Sequence, residues 1–242
     1  MYAIQIKNLC KRYGRVIAVD NLNLEIRKGE IFSLLGINGA GKTTLIKMLS
    51  CITEPTSGDA YILGNSINDD DEIIKACIGV SPQQSAIAPS LTVKENLKLI
   101  AGIHGYSKQE QKNKVKEMSE RFGLSEILER RASTLSGGWQ RRLSIAMALI
   151  NEPKILFLDE PTLGLDVIAR SELWSVIRSL KGRSTVILTT HYMEEAEALS
   201  DRIGIMKNGK LLTTGTADDM KTRTGTDKFE AAFVELVKEV EG

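Results

Sequence analysis

The stretch from Gly36 to Thr43, Gly-Ile-Asn-Gly-Ala-Gly-Lys-Thr, constrains the fold more than any other part of the sequence. It follows Ile31–Leu35, which predicts a short apolar strand, and it precedes a segment from Lys42 to about Ser50 that predicts a helix. Glycines let such a loop turn successive N–H groups inward, and the helix adds its positive N-terminal end. Strand, loop and helix together predict a phosphate-binding loop in an α/β protein.

Side chains of the loop and of a second strand suit a nucleotide with its metal ion. Lys42 is expected to reach the β- and γ-phosphates, and the Thr43 hydroxyl is expected to ligate Mg²⁺. The apolar run Ile155–Leu158 is typical of a strand buried on both faces, and it ends in Asp159 and Glu160. Asp159 is expected to orient Mg²⁺ through water. Glu160 is expected to activate the attacking water as general base, a role worth roughly 10²- to 10⁴-fold in rate.

The sequence favours ATP over GTP. Guanine is usually bound by an N-K-x-D element, and the nearest stretch here, Asn113-Lys-Val-Lys, lacks the acid. Tyr13 offers a flat ring that could stack on adenine. We therefore expect ATP and Mg²⁺ as the ligands.

Charge and composition exclude several other classes of protein. The 242 residues carry a net charge of +1, so no global positive field would attract nucleic acid. The longest apolar runs, such as Ile145–Ile150, are too short to span a bilayer, and the N-terminus lacks the pattern of a signal peptide. Three scattered cysteines fit a reducing cytosol better than a disulfide framework.

Periodicity predicts a core of alternating strands and helices. Residues 3–6 and 22–26 alternate between apolar and polar and predict an antiparallel pair, joined by a polar loop that contains Tyr13-Gly14. Further strands are predicted at Ala60–Leu63, Ile78–Ser81 and Val186–Leu188, and a hairpin is predicted around Asn208-Gly209. Such alternation favours an α/β core with parallel strands.

Two segments are predicted to be mainly helical. The stretch from about 88 to 150 contains capping boxes at Thr92–Glu95 and Ser107–Glu110, and it is interpreted as a helical subdomain inserted into the core. A last helix is predicted from an apolar stripe, which is expected to pack on the chain's own core rather than on a partner. The stripe consists of Phe229, Phe233, Leu236, Val237 and Val240.

The tetrad Leu135-Ser-Gly-Gly138, together with the phosphate loop, resembles the signature motif of the ATP-binding-cassette (ABC) family. The resemblance covers residues from about 3 to 217. It implies an α/β fold of the P-loop NTPase class, with a RecA-like core, an antiparallel β subdomain and an inserted α-helical subdomain. Residues 1–217 would form the ATPase domain, and 218–242 would be a C-terminal helical extension.

The resemblance also implies that two cassettes, here expected to be identical chains, pair head to tail around two ATP molecules. Each site would take its phosphate loop from one chain and its signature residues from the other. The residues implied to bind nucleotide are Tyr13, Gly36, Asn38, Gly39, Ala40, Gly41, Lys42, Thr43, Thr44, Ser136, Gly137, Gly138 and Asp166. Those implied in catalysis are Glu160, His191, Gln83 and Lys42, and those implied to hold Mg²⁺ are Thr43, Gln83 and Asp159.

Individual positions match the family pattern with one departure. Gln83 fits the Q-loop glutamine, with Gln84 as a rival; Asp166 fits the D-loop, and His191 fits the switch histidine. The fifth signature residue is usually glutamine but is Trp139 here, followed by Gln140. A bulky residue there resembles the branch of exporters of drugs, antibiotics, polysaccharides and sodium, and the related lipid transporters.

The expected function is that of an ATPase subunit that powers transport, with export favoured, through separate transmembrane permease subunits. The chain would then lie at the cytoplasmic face of the cell membrane, and a groove near Gln83–Leu97 would receive the permease. The alternative is a soluble ABC ATPase of a cytosolic assembly machine, as in iron–sulfur assembly. No nucleic-acid partner is expected.

Overall fold

A computed structural model describes residues 1–84 and 86–238. The strands are β1 Tyr2–Tyr13, β2 Val16–Arg27, β3 Ile31–Leu35, β4 Ser57–Ile62, β5 Asn65–Ser66, β6 Ile78–Ser81, β7 Ile155–Asp159, β8 Thr185–Thr190, β9 Arg202–Lys207 and β10 Lys210–Gly215. The helices are α1 Lys42–Leu49, α2 Asp71–Cys77, α3 Val93–Ile103, α4 Lys108–Arg121, α5 Gly137–Ala148, α6 Val167–Arg178, α7 Met193–Leu199, α8 Ala217–Thr224 and α9 Phe229–Lys238, with short 3-10 turns at Ser125–Ile127 and Ala132–Thr134.

A six-stranded sheet in the order β10-β9-β3-β8-β7-β6 forms the centre of the molecule. Strands β9, β3, β8, β7 and β6 run parallel, and β10 closes the edge as an antiparallel hairpin with β9. The turn of that hairpin is Asn208-Gly209, as predicted. Because parallel strands end at one edge of a sheet, the segments after β3, β6, β7 and β8 meet there, and this edge carries the predicted phosphate loop and acids.

The side chains of the central strands alternate between two apolar layers. Leu156 and Leu158 of β7 pack with the helical segment α3–α5 and with α6, whereas Ile155 and Phe157 pack with α1 and the second sheet. Burial on both faces explains why this strand is an unbroken apolar run. The prediction of a doubly buried strand is therefore confirmed.

The second sheet is antiparallel, in the order β2-β1-β4-β5. The prediction of an antiparallel pair is confirmed, but the predicted polar loop between the strands is wrong. β1 continues to Tyr13 and pairs there with Val16, so only Gly14-Arg15 remains as the turn. Gly14 has a φ of 56°, which a glycine adopts at little cost. Shifts of register along the pair let these long, polar-rich strands curve. Because of these shifts, apolar and polar residues do not alternate regularly, and the full length of the strands could not be recognised from the sequence.

Within 88–150, the helices α3 and α4 begin where their capping boxes predict. The Thr92 hydroxyl accepts from the backbone N–H of Glu95, and Ser107 does the same for Glu110. Their apolar faces, with Val115, Met118 and Phe122, are buried in the cluster that covers one side of the central sheet. The segment is helical as predicted, and its treatment as an inserted subdomain stays a prediction.

The C-terminal helix α9 packs on the central sheet at β9. Phe229, Phe233 and Leu236 of α9 are buried against a cluster that includes Ile203 and Ile205 of β9. The prediction that the stripe packs on the chain's own core is confirmed for these residues, and Val240 lies outside the described ones. Across 1–84 and 86–238, no helix combines the length and the apolar character that crossing a bilayer requires.

Candidate functional site

The phosphate loop is held close to two neighbouring segments. The Gly36 N–H donates to the Thr190 carbonyl at 3.3 Å, and a Cβ on Gly36 would lie 2.4 Å from the carbonyl oxygen of Met206. Gly41, the N-cap of α1, has a φ of 101°, and a Cβ there would lie 2.3 Å from the carbonyl oxygen of Ala18. A side chain at either position would clash with neighbouring backbone, so both positions require glycine.

A cavity of about 380 Å³ lies over the loop. It is lined by Val16, Ile17, Ala18, Asn38, Gly39, Ala40, Gly41, Lys42, Thr43, Thr44, Gln83 and Glu160. Among the described residues, Gln84 does not line it, which favours Gln83 of the two rivals. Tyr13 does not line it either, but its strand partner Val16 does. The Tyr13 side chain is 48% exposed, with the Lys11 ammonium 5.1 Å from its ring centroid.

Lys42 is buried at the floor of this site. Its ammonium group donates to the carbonyls of Gly36, at 2.7 Å, and Ile37, at 3.2 Å, and it lies 3.5 Å from Glu160 Oε1. The ion pair is almost fully shielded, since both side chains are less than a tenth exposed. An anion that enters the loop therefore meets a cation that is already shared with an acid.

Asp159 and Thr43 bring oxygen atoms together beside the loop. The Thr43 hydroxyl donates to Asp159 Oδ1 at 3.1 Å, and the Thr189 hydroxyl of β8 donates to the same oxygen at 2.5 Å. Hydroxyl, carboxylate and side-chain amide oxygens are hard donors of the kind that Mg²⁺ prefers, and Gln83 lines the same cavity. The residues present thus fit a magnesium ion that keeps several of its waters.

Glu160 follows the strand in a backbone conformation that is rare for a side-chain-bearing residue. Its φ is 49°, and its N–H donates to the carbonyl and the hydroxyl of Thr189 at 3.2 and 3.0 Å. Its carboxylate lies between Lys42 on one oxygen and Nδ1 of His191, at 2.8 Å, on the other. Strain of this kind persists where surrounding structure enforces it and is common at functional sites. The carboxylate has one fixed position, facing the loop.

The predicted signature residues lie elsewhere on the surface. Ser136 is the N-cap of α5, it is exposed, and within the described part of the chain its side chain makes no capping hydrogen bond. Gly137 is exposed as well, and a Cβ on Gly138 would lie 3.4 Å from that of Ala169 on α6. None of these residues lines the cavity over the phosphate loop. A single chain therefore does not bring the two predicted halves together.

The departure at position 139 has a structural role. The guanidinium of Arg142 lies 4.8 Å from the Trp139 ring centroid and pairs with Glu172 of α6, and the indole packs on the main apolar cluster. Gln140 does not take the place of the glutamine that is usual at position 139. Its amide donates instead to the carbonyls of Ala132 and Leu135 in the same chain, both at 3.2 Å.

The predicted D-loop leads into α6. The Asp166 carboxylate caps that helix by accepting from the Ala169 N–H at 2.9 Å, and the residue is exposed.

Sequence reasoning missed three residues around the site. Thr189 bonds both Asp159 and Glu160, and its signal was a pair of threonines at the carboxyl end of β8, after the apolar run Val186–Leu188. Glu195 of α7 is fully buried and accepts from the Thr162 hydroxyl and the Trp174 indole at 2.8 and 3.1 Å; its burial raises the pKa of the carboxyl. Arg141 of α5 is buried behind Glu160, and its helical spacing from Gly137 and Ile145 could have placed it on the inner face.

Comparison with known proteins supports this architecture. A family model described as ABC transporter matches residues 19–163. The probable multidrug ABC transporter ATP-binding protein YbhF of Escherichia coli is 40% identical over 240 residues, which are 97% of this chain and 41% of that protein. The doxorubicin resistance ATP-binding protein DrrA of Mycobacterium tuberculosis is 40% identical over 227 residues, 92% of this chain and 68% of that protein. The chain thus spans less than half of YbhF.

Solved structures agree with the fold. The ATP-binding subunit of an ABC transporter superposes with a TM-score of 0.86 at 28% identity, covering 97% of this chain and 99% of that one. A dimeric ATP-binding cassette in a post-hydrolysis state, bound to ADP and Pi, gives 0.80 at 30% identity, covering 88% and 98%. The predicted P-loop NTPase fold is confirmed, and the chain belongs to the ABC transporter family.

Proposed function

We propose that this chain binds and hydrolyses ATP to power an exporter, acting through separate transmembrane subunits at the cytoplasmic face of a membrane. The observation that carries the proposal is the Glu160 carboxylate, held between Lys42 and His191 at the mouth of the phosphate loop. The names of YbhF and DrrA, which mention multidrug transport and doxorubicin resistance, support export of small organic compounds.

Binding of ATP begins at the loop. Backbone N–H groups of Gly39–Thr44 and the N-terminus of α1 favour the phosphates electrostatically. The phosphates then compete with Glu160 for the Lys42 ammonium, which lies 3.5 Å from Glu160 Oε1. Movement of Lys42 toward the phosphates leaves one oxygen of Glu160 free. Nucleotide binding thereby activates the carboxylate that the reaction needs.

Hydrolysis then uses the freed carboxylate as general base. Glu160 accepts a proton from the attacking water, and the hydrogen bond that its other oxygen accepts from His191 Nδ1 fixes its direction. Thr43, Asp159 and Gln83 would hold Mg²⁺, which supplies charge neutralisation at the β- and γ-phosphates. Lys42 stabilises the negative charge that develops on the transferred phosphoryl group.

The exposed N-terminus of α5 completes the site of a second cassette. Ser136 and the amides of Gly137 and Gly138 form a site for an anion, and no described group of the same chain occupies it. A head-to-tail pair of identical chains would place this end of α5 on the γ-phosphate bound by the partner. ATP then links the two chains, and hydrolysis releases them.

Coupling to the permease would run through the segment after β6. Gln83 lines the nucleotide cavity, and the chain continues from it to α3. A cytoplasmic element of the permease is proposed to bind near Gln83–Leu97.

The test is affinity purification of the tagged chain from native membranes, followed by mass spectrometry and an ATPase assay. We expect a protein with several membrane spans in stoichiometric amount. Lys94→Glu should weaken its recovery, whereas Lys181→Glu, which breaks a comparable surface ion pair far from the groove, should not. Recovery only from the soluble fraction, with a soluble assembly factor, would contradict the transporter assignment.

A further inference from the structure

Arg141 is a buried cation on the inner face of α5, only 5% exposed. Its three nitrogens each donate to a backbone carbonyl: Nε to Pro161 at 3.0 Å, Nη1 to Pro82 at 2.5 Å, and Nη2 to Asp159. These bonds are made to the backbone and not to a carboxylate. A buried guanidinium that donates its hydrogen bonds to main-chain carbonyls fixes the path of the backbone rather than neutralising one acid.

The three carbonyls belong to residues directly beside the proposed machinery. Asp159 and Pro161 flank Glu160, whose backbone has the strained φ of 49°. A residue with an unfavourable φ angle relaxes to a more common conformation unless the backbone on both sides of it is held in place. The fork of Arg141 holds both sides, and Thr189 holds the Glu160 N–H from the opposite direction.

The third carbonyl, that of Pro82, directly precedes Gln83 in the segment that leads toward the proposed permease groove. Arg141 itself lies one helical turn after Gly137, on the helix whose N-terminus would serve the partner's nucleotide. One side chain therefore joins the Glu160 turn, the Gln83 segment and the signature helix.

Charge favours the same arrangement. Burial lowers the pKa of Arg141 to about 10, while the nearby carboxylates of Asp159, Glu195 and Glu160 act in the opposite direction. The guanidinium therefore stays protonated at neutral pH, and its charge offsets repulsion among three acids. A lysine could supply the charge but not three donors in one plane.

We propose that Arg141 is a positioning residue for ATP hydrolysis, which fixes the strained turn of Glu160 and ties it to the Gln83 segment and to the helix that carries Ser136. The proposal rests on the proposed function, because it assumes that Glu160 is the base. It predicts that loss of the fork misplaces the base while leaving the phosphate loop intact.

The experiment compares Arg141→Lys with Arg142→Met in the full chain, each made alone and together with Glu160→Gln. Arg142 is the neighbouring cation on α5, pairs with Glu172 and touches none of the three carbonyls, so it is the matched control. The measurements are the dissociation constant for ATP, the rate of phosphate release at saturating ATP, and amide hydrogen exchange. If Arg141→Lys does not fold, Arg141→Gln, which keeps a single donor group, takes its place.

The expected result is a fall in kcat of roughly tenfold or more for Arg141→Lys, because misplacing a catalytic group by about 1 Å can cost that much or more, with ATP affinity kept within about twofold. In the Glu160→Gln background, the same change should lower the residual rate by less than about twofold, since the group that Arg141 positions is already gone. The amides of Glu160, Thr162 and Leu163 should exchange faster, and Arg142→Met should show none of these effects.

Two results would overturn the inference: unchanged hydrolysis and exchange in Arg141→Lys, or a loss by the same factor in both backgrounds, which would indicate a general loss of folded protein. If the wild-type chain itself fails to hydrolyse ATP, the proposed function fails instead. Amide exchange at Glu160, Thr162 and Leu163 then still decides whether Arg141 holds the turn.

Discussion

The molecule has two glycine-containing helix N-termini that suit phosphate, and they differ in burial and in the side chains around them. At the start of α1, Lys42, Asp159 and Glu160 are each less than a tenth exposed. Lys42 pairs with Glu160, and Asp159 accepts a hydrogen bond from the Thr43 hydroxyl. At the start of α5, Ser136 and Gly137 are exposed, and the Ser136 side chain makes no capping hydrogen bond with the described residues. In the proposed mechanism the first end has its own cation, metal ligands and base. The second has only backbone dipoles and a hydroxyl, so it can complete a site but cannot form one.

This difference predicts that substitutions at the two ends fail in different ways. Changes at α1 should impair a chain by itself. Changes at α5 should impair only the pair.

The largest effect is expected at Glu160. Replacement by glutamine keeps the size of the side chain but removes the base, so phosphate release should fall by roughly 10²- to 10⁴-fold while ATP binding persists. Glu194→Gln, on the exposed surface of α7 three residues after His191, is the control and should retain the normal rate. A Glu160→Gln chain that hydrolyses ATP normally would remove this residue from the role of base.

The next effect is expected at Lys42. Lys42→Met removes charge-assisted hydrogen bonds to the phosphates, each worth about 1.5–3 kcal/mol, so ATP affinity should fall by roughly 10- to 100-fold. Titration calorimetry measures it directly. Lys47→Met, at an exposed position of the same helix, should leave the affinity unchanged. Equal affinities in the two variants would mean that the phosphates do not lie on this loop.

A change at the other end should separate binding from pairing. Ser136→Glu places a negative charge where the partner's γ-phosphate would lie, and like charges in contact cost several kcal/mol, so pairing and hydrolysis should fall by roughly tenfold or more. ATP binding by the dilute single chain should not change. Ser133→Glu, exposed on the preceding turn, is the control. A loss of ATP affinity in the dilute Ser136→Glu chain would show that both ends act within one molecule.

The smallest effect is expected at Tyr13. Loss of an aromatic ring that stacks on adenine costs about 1 kcal/mol, so Tyr13→Ala should weaken ATP binding by roughly fivefold, and Tyr13→Phe should not. Tyr2→Ala, at the opposite end of β1, is the control. If Tyr13→Ala binds ATP like the wild type, the stacking prediction is wrong. The reason would then be that Tyr13 does not line the cavity over the phosphate loop.

The same comparison shows what the sequence could predict. The strand, loop and helix around Gly36–Thr43 are local in the chain, so the pattern of apolar residues and glycines was enough to predict them. The capping boxes of α3 and α4 are local for the same reason. The end of α5 was predicted only through resemblance, because the group it would bind belongs to another molecule.

Features that depend on distant contacts were not predictable. Arg141 bonds carbonyls that are 59, 18 and 20 residues away, and no local pattern reports such pairing. The full length of the β1–β2 pair was missed because its strands are rich in polar residues and contain shifts of register. A helix as short as α2, with one fully buried residue, has too weak an apolar periodicity to be recognised.

The central claim is that one catalytic site takes residues from two chains. The most direct test is the ATPase rate of the wild-type chain measured over a range of concentrations, with the mass of the particles determined in parallel. The account predicts that the rate rises with the square of the concentration while monomers dominate, and that it becomes linear once ATP-bound pairs prevail. A rate that is linear in concentration for a chain shown to be monomeric would contradict it.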